Sequence, residues 1–145
     1  MSTQTNTDEA AIRQVIREVY KAISGPAGPR DWEQYARCFV PEGRMVVAHR
    51  QPDGSVELQP LSVEEYRRTR EPYFSANAFY EIETRCDVTI EGSIALAFSY
   101  YESRHDLNQP PFETGVNCLQ FARTRDGWRI VQTMWEAGQI GSRLR

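Results

Sequence analysis

The stretch Ser99-Tyr-Tyr-Glu-Ser-Arg-His105 packs two tyrosines, a carboxylate, a guanidinium, two hydroxyls and an imidazole into seven positions, with Asn117 and Glu136 downstream and Tyr20 and His49 upstream. A carboxylate at the edge of an apolar cavity loses hydration, so its pKa rises and it can trade protons near neutral pH. Tyrosine hydroxyls and asparagine amides can donate hydrogen bonds to an oxygen that gains negative charge, as in an enolate. Glu136, Tyr20, Asn117 and His49 are therefore the candidate catalytic residues of an acid–base site. The plainer alternatives are an arginine partner for Glu136, tyrosines that fill the core with hydroxyls at its edge, and a surface histidine at a strand end. Ser103 and His105 share a strand face, but no nucleophile elbow, oxyanion hole or orienting acid accompanies them. Two distant histidines supply no metal site, and no cofactor is expected.

The chain of 145 residues is one domain's worth, with 40% apolar and 26% charged residues. No stretch approaches the roughly 18 consecutive apolar residues of a membrane span. The start, MSTQTNTDEAA, is polar and acidic rather than signal-like, which gives a cytoplasmic expectation. Cys38, Cys86 and Cys118 are odd in number and widely spaced, a pattern of buried thiols rather than of disulfides or zinc ligands. The net charge is −3 and the basic residues are scattered, so no nucleic-acid-binding face is visible.

These side chains need elements to position them. Residues 1–7 read as a disordered tail, and 8–145 as a single domain. Ala11, Ile12, Val15, Ile16, Val19, Tyr20 and Ile23 recur at helical spacing. The segment SGPAGPR (24–30) breaks that helix, and Asp31 caps a second whose Trp32, Tyr35, Ala36 and Phe39 form one stripe. A strand over 44–49, a turn, a short strand over 56–59 and a third helix opened by Ser62 and Glu65 come next. From residue 80 onward the pattern is β, in four strands. Tyr80, Ile82, Thr84, Cys86, Val88 and Ile90 alternate there with polar residues as one buried face. Helices segregated beside an antiparallel sheet make an α+β fold, with one curled sheet wrapped around the helices.

Register then assigns the faces. The Asp126–Gly127 turn places Arg125 opposite Trp128, and hence Leu119 opposite Met134 and Asn117 opposite Glu136. Pairing Leu96 with Phe121 and Phe98 with Leu119 gathers large apolar side chains, and puts Tyr100 opposite Asn117, Glu102 opposite Gly115 and Arg104 opposite Glu113 as an ion pair. An apolar wall ending in convergent polar groups is the pattern of a small-molecule pocket. Tyr100, Glu102, Trp32, Met134, Leu119 and Phe98 are the expected ligand contacts. The other face, with Ala95, Ala97, Ser99, Tyr101, Ser103 and His105, is left to solvent or to a second subunit, which gives the expectation of a homodimer.

DWEQYARCFVPEGRMVV, the capped third helix and the closing hairpin FARTRDGWRIVQTMWE resemble the nuclear transport factor 2-like superfamily, which includes the SnoaL-like and ketosteroid-isomerase-like proteins. The resemblance spans about residues 8–138. SGPAGPRDW, YESR, the PF-x-x-G-x-N run at 111–117 and the terminal WEA resemble a bacterial subgroup without an assigned reaction. It implies a cone-shaped α+β fold, with an internal pocket. Against the ketosteroid isomerase pattern, Tyr20 resembles the tyrosine late in the first helix and Asn117 stands where that family has a carboxylic acid. The general-base position falls on Val47, with His49 the nearest titratable replacement. The implied function is binding of a small apolar or aromatic molecule, with cofactor-free isomerase, lyase or cyclase chemistry on a carbonyl- or hydroxyl-bearing substrate. The alternatives are a non-catalytic binding or assembly module and a small subunit of a ring-hydroxylating oxygenase.

Overall fold

The computed structural model describes residues 3–138. Helices α1 (Thr3–Ile23) and α2 (Trp32–Arg37) precede strands β1 (Phe39–Arg50) and β2 (Val56–Ser62). Helix α3 (Val63–Ala76) then leads to β3 (Tyr80–Glu91), β4 (Ile94–Arg104), β5 (Glu113–Thr124) and β6 (Gly127–Glu136). The α+β expectation holds: one curved six-stranded sheet in the order β2-β1-β6-β5-β4-β3 carries the helices on its inner face. All pairings are antiparallel except β1 with β6, which is parallel and joins the first strand to the last.

Helix α1 buries the stripe Ile12, Ile16, Val19, Tyr20 and Ile23 against the sheet. It begins at Thr3, so residues 3–7, expected as a disordered tail, are helical; Met1, Ser2 and 139–145 lie outside the described residues. The N-terminal part of α1 is anchored in its second turn, where the Trp128 indole N–H donates to Asp8 at 3.0 Å. The Ser62–Glu65 capping box forms in full at the start of α3. Helix α2 is shorter than its apolar stripe suggested. Pro41 cannot continue a helix, and Phe39 already pairs with Ile130 on β6, so β1 opens at Phe39 rather than at 44. Strand β2 likewise runs on to Ser62, three residues past its expected end.

Three irregularities reset the side-chain faces. A bulge between Glu83 and Arg85 moves Glu81 and Glu83 onto the same inner face as Cys86, Val88 and Ile90, and leaves Ile82 exposed. The β5–β6 turn closes with Thr124 opposite Gly127, one residue earlier than the Asp-Gly signal suggested. A second shift between Gln120 and Phe121 then sets Leu119 opposite Thr133 and Cys118 opposite Met134. A third lies in β1, between Phe39 and Arg44.

Strand β4 is also one residue out of the expected register. Ala95 faces Phe121, Ala97 faces Leu119, Ser99 faces Asn117, Tyr101 faces Gly115, and Ser103 faces Glu113. A one-residue slip exchanges both faces of a strand. The inner face is thus the small-residue one. Small side chains suit it because α1 lies close above, with Tyr20 reaching Ser99 directly.

Candidate functional site

Between the concave sheet face and the helices lies a cavity of about 620 Å³, within the range of small-molecule sites. Ile16, Val19 and Ile23 of α1 line one side, with Tyr66, Thr69, Arg70 and Tyr73 of α3 opposite. The inner faces of the strands supply Val47, His49, Glu81, Tyr101, Glu113, Asn117, Leu119, Thr133 and Trp135. Their pairing arranges them in rows. Glu81, Ser103 and Glu113 form the row nearest the β4–β5 loop; Glu83, Tyr101 and Gly115 form the next; Cys86, Ser99 and Asn117 the third. Adjacent members of a row are about 5 Å apart.

The first row holds the strongest electrostatic feature. Burial pushes the Glu81 carboxyl up to about 8, and the neighbouring charge of Glu113 adds to the rise. The Arg70 guanidinium opposes it. Ser103 Oγ opposes it too, but makes no hydrogen bond of normal geometry among the described residues, so desolvation dominates. Glu113 is itself raised by burial, against a hydrogen bond donated by the Gly138 backbone N–H, and its Oε2 has no hydrogen-bond partner among the described residues. Arg70 lies over the Tyr73 and Phe74 rings, with 4.7 and 5.1 Å to their centroids. Burial, then the charges of Glu81 and Glu113, pushes the Tyr101 hydroxyl far above its ordinary value, so it stays a proton donor.

A hydrogen-bonded relay crosses the third row. Asn117 Nδ2 donates to Tyr20 Oη at 3.1 Å, and Tyr20 Oη lies 2.6 Å from Ser99 Oγ. Ser99 Oγ donates to Glu83 Oε2. Since the single Ser99 proton goes to Glu83, Tyr20 must be the donor to Ser99. The Tyr20 proton therefore points away from the cavity. Burial, then the Glu81 charge, raises its pKa well above the ordinary value and keeps that proton in place.

Of the residues the sequence nominates, the structure places Tyr20, Asn117, His49 and Leu119 on the cavity wall. His49 Nε2 is 2.9 Å from Gln59 Oε1. Glu136 instead lies on the outer face, where Arg50 holds both its carboxylate oxygens at 3.0 Å. Tyr100 is also outside, with the Arg85 guanidinium 4.5 Å from its ring centroid. Glu102 pairs with Arg104 at 2.8 Å, so the expected Arg104–Glu113 pair does not form. Phe98 and Met134 face outward too. All five corrections follow from the register slips in β4 and β6. Trp32 packs behind the cavity wall against Tyr35, Tyr66 and Phe74.

Sequence reasoning passed over Glu81, Glu113, Arg70 and Tyr101. Glu81 fell on the polar side of an alternation that the β3 bulge breaks. Tyr101 lies on the small-residue face of β4, which the size pattern assigns outward and the observed register turns inward. Among the described residues, no cluster of three or more histidine, cysteine or carboxylate side chains is arranged to hold a metal ion.

No protein-family model and no curated protein sequence matches the chain. Solved structures do. An NTF2-like protein with a cystatin-like fold from Novosphingobium aromaticivorans shares 20% identity at a TM-score of 0.70, over 96% of this chain and 86% of that one. A Streptomyces avermitilis protein of the NTF2-like family, whose name proposes a dehydratase, shares 17% identity at a TM-score of 0.63, over 91% and 96%. A second Novosphingobium aromaticivorans protein, whose name proposes an aromatic ring hydroxylase, shares 16% at 0.66, over 90% and 88%. The topology, the cone-like sheet and these likenesses together establish that the chain has the nuclear transport factor 2-like fold, also described as cystatin-like.

Proposed function

We propose that the cavity binds a small, largely apolar carbonyl compound and that Glu81 moves a proton on it, as in an isomerase or a lyase that works without a cofactor. The observation that carries this reading is the Glu81 carboxyl inside the cavity, raised to about 8 by desolvation. Such a group is mostly protonated at neutral pH yet keeps an ionised fraction, so it can serve as general acid or general base. The Tyr101 hydroxyl is the donor for an oxygen that gains charge as a C–H proton leaves, and Asn117 shapes the next row inward. Glu136, His49 and Tyr20 are not assigned the central role. Glu136 is on the other face, His49 sits across the cavity beside Gln59, and the Tyr20 proton is committed to Ser99. A similar fold in a protein whose name proposes a dehydratase supports the same class of chemistry.

Exchange of α-protons in deuterated buffer tests this reading, with a panel of small cyclic and aromatic ketones followed by NMR. Wild-type protein is expected to accelerate exchange on at least one compound. Glu81→Gln should lose at least about a hundredfold of that acceleration, the usual scale of general acid–base catalysis. The outer-face control Glu136→Gln should retain it. Undiminished exchange by Glu81→Gln overturns the assignment.

A second reading concerns assembly. Phe98, Cys118, Met134, Val46 and Pro60 are successive cross-strand neighbours on the outer face, an apolar row across five strands. Beside it, two residues from Phe98 on β4, Leu96 is exposed. We infer a homodimer through this face, since two-fold pairing is the commonest way such a patch is closed.

A further inference from the structure

Helix α3 carries three arginines, and they meet different surroundings. Arg67 and Arg68 lie one turn from carboxylates and pair with them, Arg67 with Glu64 and Glu71, and Arg68 with Glu64. At the same spacing from Arg70 stand Tyr66, Tyr73 and Phe74, all aromatic. Its guanidinium lies over the Tyr73 and Phe74 rings instead of on an acid.

Arg70 lines the cavity, and its positive charge reaches Glu81, Glu113, Tyr66 and Tyr73. No carboxylate among the described residues comes within ion-pair distance of it, in contrast to its neighbours on the helix. Its approach to the Tyr66 hydroxyl falls short of normal hydrogen-bond geometry, so most of its N–H groups lack an acceptor among the described residues. None of its nitrogens is closed off from water, whereas Glu113 Oε2 and Ser103 Oγ both are. The wall therefore presents a guanidinium backed by aromatic rings, with open donors and no neutralising contact.

We propose that Arg70 anchors a carboxylate of the ligand, making the cavity selective for small aromatic or alicyclic acids over neutral compounds of the same shape. The proposal rests on the ligand-binding reading above and narrows its substrate class to an apolar carbonyl compound that also bears a carboxylate. A guanidinium presents paired N–H donors that match the two oxygens of a carboxylate. A neutral amide offers that fork a single carbonyl oxygen, and an ammonium meets like charge. A phosphate monoester, with close to two negative charges, brings more charge than one guanidinium answers beside two acids. Those acids repel a carboxylate less than their number suggests. Glu81 is mostly protonated at neutral pH, and burial moves Glu113 in the same direction. The rings of Tyr73, Phe79, Tyr101 and Phe112 receive the apolar body. Arg70 is thus a specificity residue, and Glu81 keeps the proton-moving role proposed for it.

The test uses three probes of matched shape: 2-naphthoate, 2-naphthamide and 2-naphthylmethylammonium. Binding is measured by titration calorimetry at neutral pH. Wild-type protein is expected to bind 2-naphthoate at least about tenfold more tightly than 2-naphthamide, the scale of one charge-assisted pair. That preference should persist at roughly 0.5 M salt, where attraction between exposed charges is largely screened. Arg70→Met keeps an unbranched stem against Tyr73 and Phe74; it should abolish the preference and retain affinity for 2-naphthamide. Arg70→Gln, which keeps a donor but no charge, should do the same, and decides the matter if Arg70→Met fails to fold. Arg68→Gln removes an exposed charge from the same helix and should leave the preference as in wild type.

Equal affinity for 2-naphthoate and 2-naphthamide overturns the carboxylate assignment while the pocket reading stands. Arg70 would then serve only to oppose the rise of the Glu81 carboxyl. A preference that survives in Arg70→Met or Arg70→Gln, vanishes in Arg68→Gln, or collapses in salt also overturns it, in favour of anion attraction outside the cavity. Tightest binding by the ammonium probe overturns it in favour of recognition by the two acids. Binding by none of the probes removes the ligand-binding reading itself, and this proposal with it.

Discussion

Glu81 keeps its proton through neutral pH because the walls around it exclude water more effectively than Arg70 compensates it. That has a consequence for stability as well as for chemistry. The carboxyl has an ordinary value of 4.5 and is raised to about 8 in the folded chain, so between those values the folded state binds more protons than the unfolded one. Stability from this group is present in full below the unfolded value and declines as pH rises through the window. Glu113 is shifted in the same direction. We expect the wild-type melting temperature to fall between about pH 5 and pH 8, and Glu81→Gln to flatten that slope. Melts across that window check it; a variant with an unchanged slope would show that the proton on Glu81 is not held as described. Of the residues that sequence alone nominated, Tyr20, Asn117, His49 and Leu119 were legible because their own elements carry strong patterns. The acids were not. Nothing local distinguishes Glu81 from Arg85 until the bulge between Glu83 and Arg85 is known to turn one inward.

At the level of elements, helices and turns were easier to read than faces. The capping box, the α1 stripe and the breaker at 24–30 all act within a few residues. The faces of β4 depend on α1, which is far away in sequence. Leu96 and Phe98 look like core residues by size, but Ala95, Ala97 and Ser99 are the ones that fit beneath the helix. A pair of substitutions separates the two registers. Ala97→Asp should cost about 3 kcal/mol or more, because it buries an unpaired carboxylate at a fully enclosed position. Leu96→Lys, one residue away on the outer face, should stay within about 0.5–1 kcal/mol of wild type. Chemical denaturation measures both, and the reverse order would restore the register in which Leu96 faces inward.

For the whole molecule, the parallel β1–β6 pairing closes the order of strands so that both edges are occupied by β2 and β3. The outer apolar row then runs across the middle of the sheet rather than along an edge. Phe98→Lys places a charge in that row, at a position 40% exposed. If the homodimer forms there, sedimentation of this variant should report a monomer that melts as one cooperative unit. A dimer of undiminished affinity would move the interface elsewhere. The α+β architecture was legible because segregated helices and strands leave few ways to bury three apolar stripes. The assignment of inside and outside was not, because both faces of the sheet carry apolar side chains.

The segment 24–30 shows how so irregular a connection can serve as a fixed part. Arg30 donates to the carbonyl oxygens of Ile23, Gly25, Pro26 and Gly28 at 2.7–3.0 Å and lies 4.9 Å from the Phe74 ring centroid. One guanidinium thus does for this loop what a ladder of backbone bonds does for a strand. Lysine, with a single nitrogen and no planar fork, has no way to span four acceptors. Connections on a protein surface are usually the places where a chain absorbs inserted residues. This one behaves more like a keystone: lengthening it would unseat Arg30, and with it the joint between α1, α3 and the start of β3.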